Sequence, residues 1–186
     1  MAEEQKSNVI EILRTLDEKL SEICQHVVSN IKSSTEFKDE MFEGPYVFTN
    51  IDNRPRNLIG KKGIYVFEIS QDVPLTREQV RAWSVRCKGA GFNNWDQGDL
   101  KKGDILYVGS CVSESLYTRI RQHFLINTTV TSLQLGHSDR KMVYNSVKVY
   151  AYPIKNGYEA YYRYIIPQVE KKLHKDFEPK AGSSRV

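Results

Sequence analysis

Apolar positions along this chain switch between helical and strand spacing. Between residues 8 and 32 they recur at Val9, Leu13, Leu16, Leu20, Ile23, Val27 and Ile31, which predicts one amphipathic helix with a narrow apolar stripe. Asn8 is placed to cap it, with Glu11 as reciprocal partner. So narrow a stripe fits a coiled-coil seam with a second copy, or packing against the helix's own domain. Residues 33–62 are irregular, interrupted by Pro45 and Pro55, with one short strand expected at Tyr46–Phe48. Gly63–Ile69, Asp104–Val108 and Val147–Tyr152 have strand character. Thr76 followed by Gln79 predicts a capped helix reaching Cys87, and residues 88–103, rich in Gly, Asn and Asp, predict a loop. Ser113 is the expected cap of a helix running to Ile126, with Leu116, Ile120 and Phe124 on one face. A last helix carries Val169, Leu173 and Phe177, with Pro167 expected near its first turn.

The 186 residues suffice for one well-buried domain, with some left for an arm or insertion. Apolar content of 40% and aromatic content of 11% suit a globular protein, and no apolar run is long enough to span a bilayer. The start, Met1-Ala2-Glu3-Glu4, lacks the basic-then-apolar order of a secretory leader, so no membrane partner is expected. Cys24, Cys87 and Cys111 are an odd, widely spaced set without a Cys-x-x-Cys pair. That argues against a disulfide framework and structural zinc, and makes a reducing cytoplasm the expected location. Charge is uneven: residues 1–45 hold 5 Lys/Arg against 10 Asp/Glu, whereas residues 46–186 hold 22 against 13. A basic body suits a polyanion, whose condensed counterions are released on binding; plain lysine-rich solubility is the alternative.

Two short runs carry the candidate chemistry, Gly63-Ile64-Tyr65 and Tyr107-Val108-Gly109. Arg119 follows on the next helix, His123 lies one turn further on the same face, and a glutamate comes late in the chain. Phosphodiester hydrolysis needs an activated water, a counter-charge for the phosphate oxygens and help for the departing alkoxide, and these residue types can meet those needs. The ordered set resembles the GIY-YIG nuclease superfamily over residues 63–69 and 104–182. The resemblance implies that the two motif strands pair and bring Tyr65 and Tyr107 to one site, where the phenols orient or deprotonate water, with Tyr65 the better candidate base. It implies that Arg119 grips phosphate oxygens and that His123 binds phosphate or assists proton transfer. It makes Glu170 the ligand of Mg²⁺ (or Mn²⁺), with Glu159 a second candidate whose distance to Pro179 does not match. Each of these residues also has a plain structural alternative: strand packing for the tyrosines, a satisfied buried ring for His123, a solvated helix face for the glutamates.

The chain departs from that family in two places. Forty-one residues separate Tyr65 from Tyr107, so an insertion over about 70–103 is expected. It carries Arg77, Arg81, Trp83, Arg86, Lys88 and Trp95, cations among aromatics that suit nucleic-acid contact, or else a helical flap packing its tryptophans. Arg121 is a further candidate phosphate contact. Gly182 stands where many members place an asparagine. The four histidines, His26, His123, His137 and His174, show no metal-ligand spacing, and no phosphate-binding glycine loop or nucleophile elbow is present. The expected architecture is α/β (α+β): residues 1–62 as helical arm and linker, and residues 63–186 as a small domain with a central, mostly antiparallel three-stranded sheet flanked by helices. The expected function is a metal-dependent endonuclease leaving 5′-phosphate and 3′-hydroxyl ends, of restriction type on double-stranded DNA, with a homodimer formed through the N-terminal helix. A structure-selective or repair-type nuclease and a non-catalytic nucleic-acid-binding module are the alternatives.

Overall fold

The structure, a computed structural model, describes residues 14–15, 17–25, 41–53, 55–87, 90–93, 98–126, 131–158 and 162–182. Four strands, β1 (Tyr46–Phe48), β2 (Gly63–Ile69), β3 (Ile105–Cys111) and β4 (Val147–Pro153), form one sheet. Their order is β1-β4-β2-β3 and every pairing is antiparallel. The expected three strands are thus four, because the short segment ahead of the first motif pairs with β4 as an edge. The stretch expected to be arm and linker therefore supplies part of the sheet. The helices are α1 (described at residues 17–25), α2 (Arg77–Arg86), α3 (Leu116–Phe124), α4 (Lys141–Tyr144) and α5 (Tyr162–Phe177). Among the described residues no helix is long and apolar enough to cross a membrane.

Strand β2 is covered on both faces, so it reads as an apolar run broken by Glu68 rather than as an alternation. Tyr65, Phe67 and Ile69 pack with Val80 and Trp83 of α2 and with Leu116, Ile120 and Phe124 of α3. Ile64 and Val66 pack on the opposite side with Ile165, Ile166, Val169 and Leu173 of α5 and with Ile23 and Cys24 of α1. The Cys24 thiol lies 4.0 Å from the Val169 carbonyl, so this part of the N-terminal stripe serves the chain's own domain. Val9, Leu13, Leu16, Val27 and Ile31 lie outside the described residues.

A bulge in the β2–β3 ladder decides where the second motif points. Phe67 pairs with Tyr107 but Glu68 pairs with Ile105, leaving Leu106 as the extra residue. Leu106 and Tyr107 consequently face the α3 side together, while Ile105 and Val108 face α5. The far edge of β3 is satisfied from the C-terminal segment. Lys180 and Ala181 donate their N–H groups to the carbonyls of Ile105 and Leu106, each at 2.9 Å.

The expected insertion belongs to the core. Val73, Leu75, Val80, Trp83, Cys87, Ala90, Phe92 and Leu100 are all buried in the α3-side cluster. Trp83 meets Phe92 edge-on at 4.9 Å between ring centroids. Lys88 and Trp95 lie outside the described residues. Two helix boundaries differ from expectation. The cap of α3 is Ser115, whose hydroxyl accepts the Thr118 N–H at 3.1 Å. Ser113 instead offers its carbonyl to the Lys62 ammonium. Pro167 sits inside α5, with helical residues from Tyr162 ahead of it, rather than in a first turn.

Helix α2 begins with the capping box expected from Thr76 and Gln79. The Gln79 N–H donates to the Thr76 hydroxyl at 3.2 Å, and the Thr76 N–H donates to Gln79 Oε1 at 2.8 Å. Thr76→Ala is expected to lower stability by about 1 kcal/mol, read as a shifted urea midpoint at unchanged slope.

Candidate active site

The pairing of β2 with β3 sets Tyr65 opposite Gly109. An added Cβ on Gly109 would fall 2.4 Å from the Tyr65 hydroxyl oxygen and 2.7 Å from Tyr107 Cε1. The glycine is therefore the floor on which both rings rest. The rings stack at 6.2 Å and 22°, and Tyr107 lies 4.8 Å from the His123 ring. On the other side of Tyr107, a Cβ on Gly182 would come within 2.6 Å of its Cε2, and Gly182 has a φ of +83° that favours glycine.

Helix α3 presents Arg119 and His123 to this floor, four residues apart on its buried face. The His123 ring has no exposed surface and lies 2.9 Å through Nε2 from the Tyr65 hydroxyl. Its Nδ1 accepts the Leu133 backbone N–H at 3.0 Å. A nitrogen that accepts from an amide carries no hydrogen, so in the neutral ring the proton is on Nε2 and His123 donates to the Tyr65 oxygen. Burial, and then the positive charge of Arg119, hold the His123 pKa well below 6.5. The Tyr65 hydroxyl proton is thereby left to point elsewhere. Burial first, then Tyr107, raise the Tyr65 pKa well above 10, and Arg119 works in the opposite direction. Tyr65 is a neutral phenol in this state.

Arg119 is 7% exposed. Burial opposes its charge, but the Tyr65 and Tyr107 hydroxyls beside it raise its pKa overall. Its terminal nitrogens donate to Gln122 Oε1 at 2.7 Å and to the Thr131 carbonyl at 2.9 Å.

Glu170 arrives from α5, on the other side of the sheet. It is 6% exposed, and its Oε2 accepts the Ser110 hydroxyl at 2.6 Å. Ser110 follows Gly109, and successive strand residues point to opposite faces. The carboxylate and the tyrosine–histidine–arginine group thus approach neighbouring residues of β3 from opposite sides. The negative charge of Glu170 is near enough to add to the rise in the Tyr65 pKa. No ion pair of Glu170 occurs among the described residues, and a carboxylate so deeply buried is normally paired or holds a metal. No group of three or more His, Cys, Asp or Glu that could hold a metal occurs among them either. Glu170 and Ser110 offer oxygen donors only, the kind that a hard cation takes together with waters. Glu159 lies outside the described residues.

The remaining sequence candidates are scattered. Arg77 and Arg81 are exposed on α2, and Arg121 is exposed on the face of α3 away from Arg119. Arg86 pairs with Asp139 at 3.3 Å. Sequence reasoning missed Ser110, although it directly follows the Tyr-Val-Gly run. It also missed the backbone groups of Thr131 and Leu133, for which no side-chain signal exists. Comparison of the chain with family models, curated proteins and solved structures found no match.

Two outcomes follow from this geometry. Gly109→Ala is expected to cost about 1–3 kcal/mol, as overpacking of a filled core does, and to alter the near-ultraviolet dichroism of the stacked tyrosines. In acid, the unfolded chain protonates His123 once the pH falls through 6.5, whereas the folded chain does not. Stability is then fully present above that pH and declines below it, by up to about 1.4 kcal/mol per pH unit. Urea titrations between about pH 7.5 and 5.5 should show that decline, with a shallower slope in His123→Gln.

Proposed function

We propose that this chain is a divalent-metal-dependent endonuclease that hydrolyses DNA phosphodiesters to 5′-phosphate and 3′-hydroxyl ends, of restriction type on the duplex. The observation that carries the proposal is the buried group of Tyr65, Tyr107, Arg119 and His123 over Gly109, with the buried acid Glu170 bonded to Ser110, the next residue of the strand. A planar cation beside two phenols suits a phosphate with charge building on its oxygens. For Arg119 to grip that phosphate, it exchanges its bonds to Gln122 and Thr131 for bonds to the substrate. The tyrosines orient the attacking water. Deprotonation by Tyr65 requires its raised pKa to fall, which the Arg119 guanidinium promotes and the His123 Nε2–H supports by donating to the phenolate oxygen. Glu170, with waters, would hold Mg²⁺ or Mn²⁺, and when bound the ion neutralises charge on the departing 3′ oxygen. The basic body between residues 46 and 186 supplies sequence-independent attraction to the backbone.

One observation favours a second function of another class. Tyr65 has no exposed surface and both terminal nitrogens of Arg119 are engaged within the chain, which suits a nucleic-acid-binding module without cleavage. Digestion of supercoiled plasmid and phage DNA separates the two. A nuclease cuts with Mg²⁺ and stops on chelation, and restriction-type specificity gives discrete bands. Arg119→Ala is expected to slow turnover by about 10²–10³, and Glu170→Gln to abolish cleavage while leaving the fold intact by circular dichroism. Metal-independent binding without any cutting, the same in both variants, establishes the binding module instead.

A further inference from the structure

Arg140 precedes α4 and is 2% exposed. Its guanidinium carbon lies 4.9 Å above the Trp83 ring. One terminal nitrogen, NH1, donates to the Leu133 carbonyl at 3.0 Å, to the Gln134 carbonyl at 3.2 Å and to the Cys87 thiol at 3.3 Å. Nε is 3.7 Å from Asp139 Oδ1. Nε and NH2, although buried, make no hydrogen bond among the described residues. The two carbonyls that NH1 serves belong to the segment that surrounds His123. Leu133 donates its N–H to His123 Nδ1 at 3.0 Å, and Leu135 donates to the His123 carbonyl at 2.8 Å. Gln134, between them, has a φ of +48°, a left-handed conformation that persists in a glutamine when the surroundings hold it.

We propose that Arg140 is a positioning residue: by clamping the Leu133–Gln134 peptides it holds His123 in the Nε2–H tautomer, and so fixes the direction of the Tyr65 hydroxyl. The chain of contacts is continuous, from the Trp83 face through Arg140 NH1 to the Leu133 carbonyl, across that residue to its N–H, through the His123 ring to the Tyr65 oxygen. Released from the clamp, the Leu133 N–H no longer points reliably at Nδ1, and the ring is free to carry its proton there. Nε2 then accepts the Tyr65 hydroxyl proton instead of donating to the oxygen, and a Tyr65 phenolate loses a donor. The inserted α2 thus supports the site through Trp83 without touching substrate. The consequence for catalysis rests on the nuclease proposal above; the tautomer does not.

The test is ¹⁵N NMR of the histidine rings in the full chain at neutral pH, with His123 assigned from its absence in His123→Gln. The wild type is expected to show His123 neutral and protonated at Nε2. Arg140→Met, at unchanged far-ultraviolet dichroism, is expected to show a mixture of tautomers and a kcat lowered about 10- to 100-fold with little change in KM. Arg140→Lys, which keeps a charged donor, is expected to restore the wild-type ring spectrum. If Arg140→Met does not fold, Arg140→Gln replaces it with the same expectation. A wild-type His123 that is charged or protonated at Nδ1 overturns the proposal, as does an unchanged tautomer in a folded Met or Gln variant. A wild type that fails to cleave DNA under any metal condition counts against the nuclease proposal and leaves the ring result to stand on its own.

Discussion

Strand β3 can pass beneath Tyr65 only where it carries no side chain, since a Cβ on Gly109 would lie 2.4 Å from the phenol oxygen and 2.5 Å from its ring. This close approach fixes the register of β2 on β3, and a one-residue slip would exchange the two faces of the sheet. With the register set, Tyr65 and Phe67 face α3, Ile64 and Val66 face α5, and the bulge at Leu106 turns Tyr107 back beside Tyr65. Helix α3 lays Leu116, Ile120 and Phe124 on the same face of the sheet as Tyr65 and Phe67. The same placement brings His123 to the Tyr65 hydroxyl.

Several ionisable side chains lie in the interior among the described residues. Arg119, His123, Arg140, Glu170 and His174 all lie at 9% exposure or less, and burial of a charged or polar group is unfavourable unless it is bonded. Most of the bonding comes from backbone or hydroxyl groups: Leu133 and Thr131 for His123 and Arg119, Ser110 for Glu170, and Val108 for His174. Neutral partners of this kind hold a side chain in place without cancelling its charge. Tyr65, Arg119 and His123, whose pKa values are all shifted, lie together on one side of β3.

The segment between the motif strands changes character when the packing is considered. Its cations and aromatics resemble a nucleic-acid surface in the sequence, yet Trp83 faces inward under Arg140, and Arg86 is paired with Asp139. Arg77 and Arg81 remain at the surface. The insertion is an extension of the α3-side core and bears on the site through the 133–140 segment.

Local rules account for what was readable in residue order. Short apolar runs rich in β-branched and aromatic residues gave β2 and β4 almost to the residue, the capping box gave the start of α2, and helical spacing put Arg119 and His123 on one face. These depend on neighbours within a turn or a pleat, and such neighbours are written side by side in the chain. The pairing of β1 with β4, the cap at Ser115, the inward turn of Trp83 and the approach of Glu170 from behind β3 depend on which distant surfaces meet. The tautomer of His123 is the extreme case. It is set by the N–H of Leu133, a group that almost every residue possesses, so only the folding of the chain around the ring could select that one.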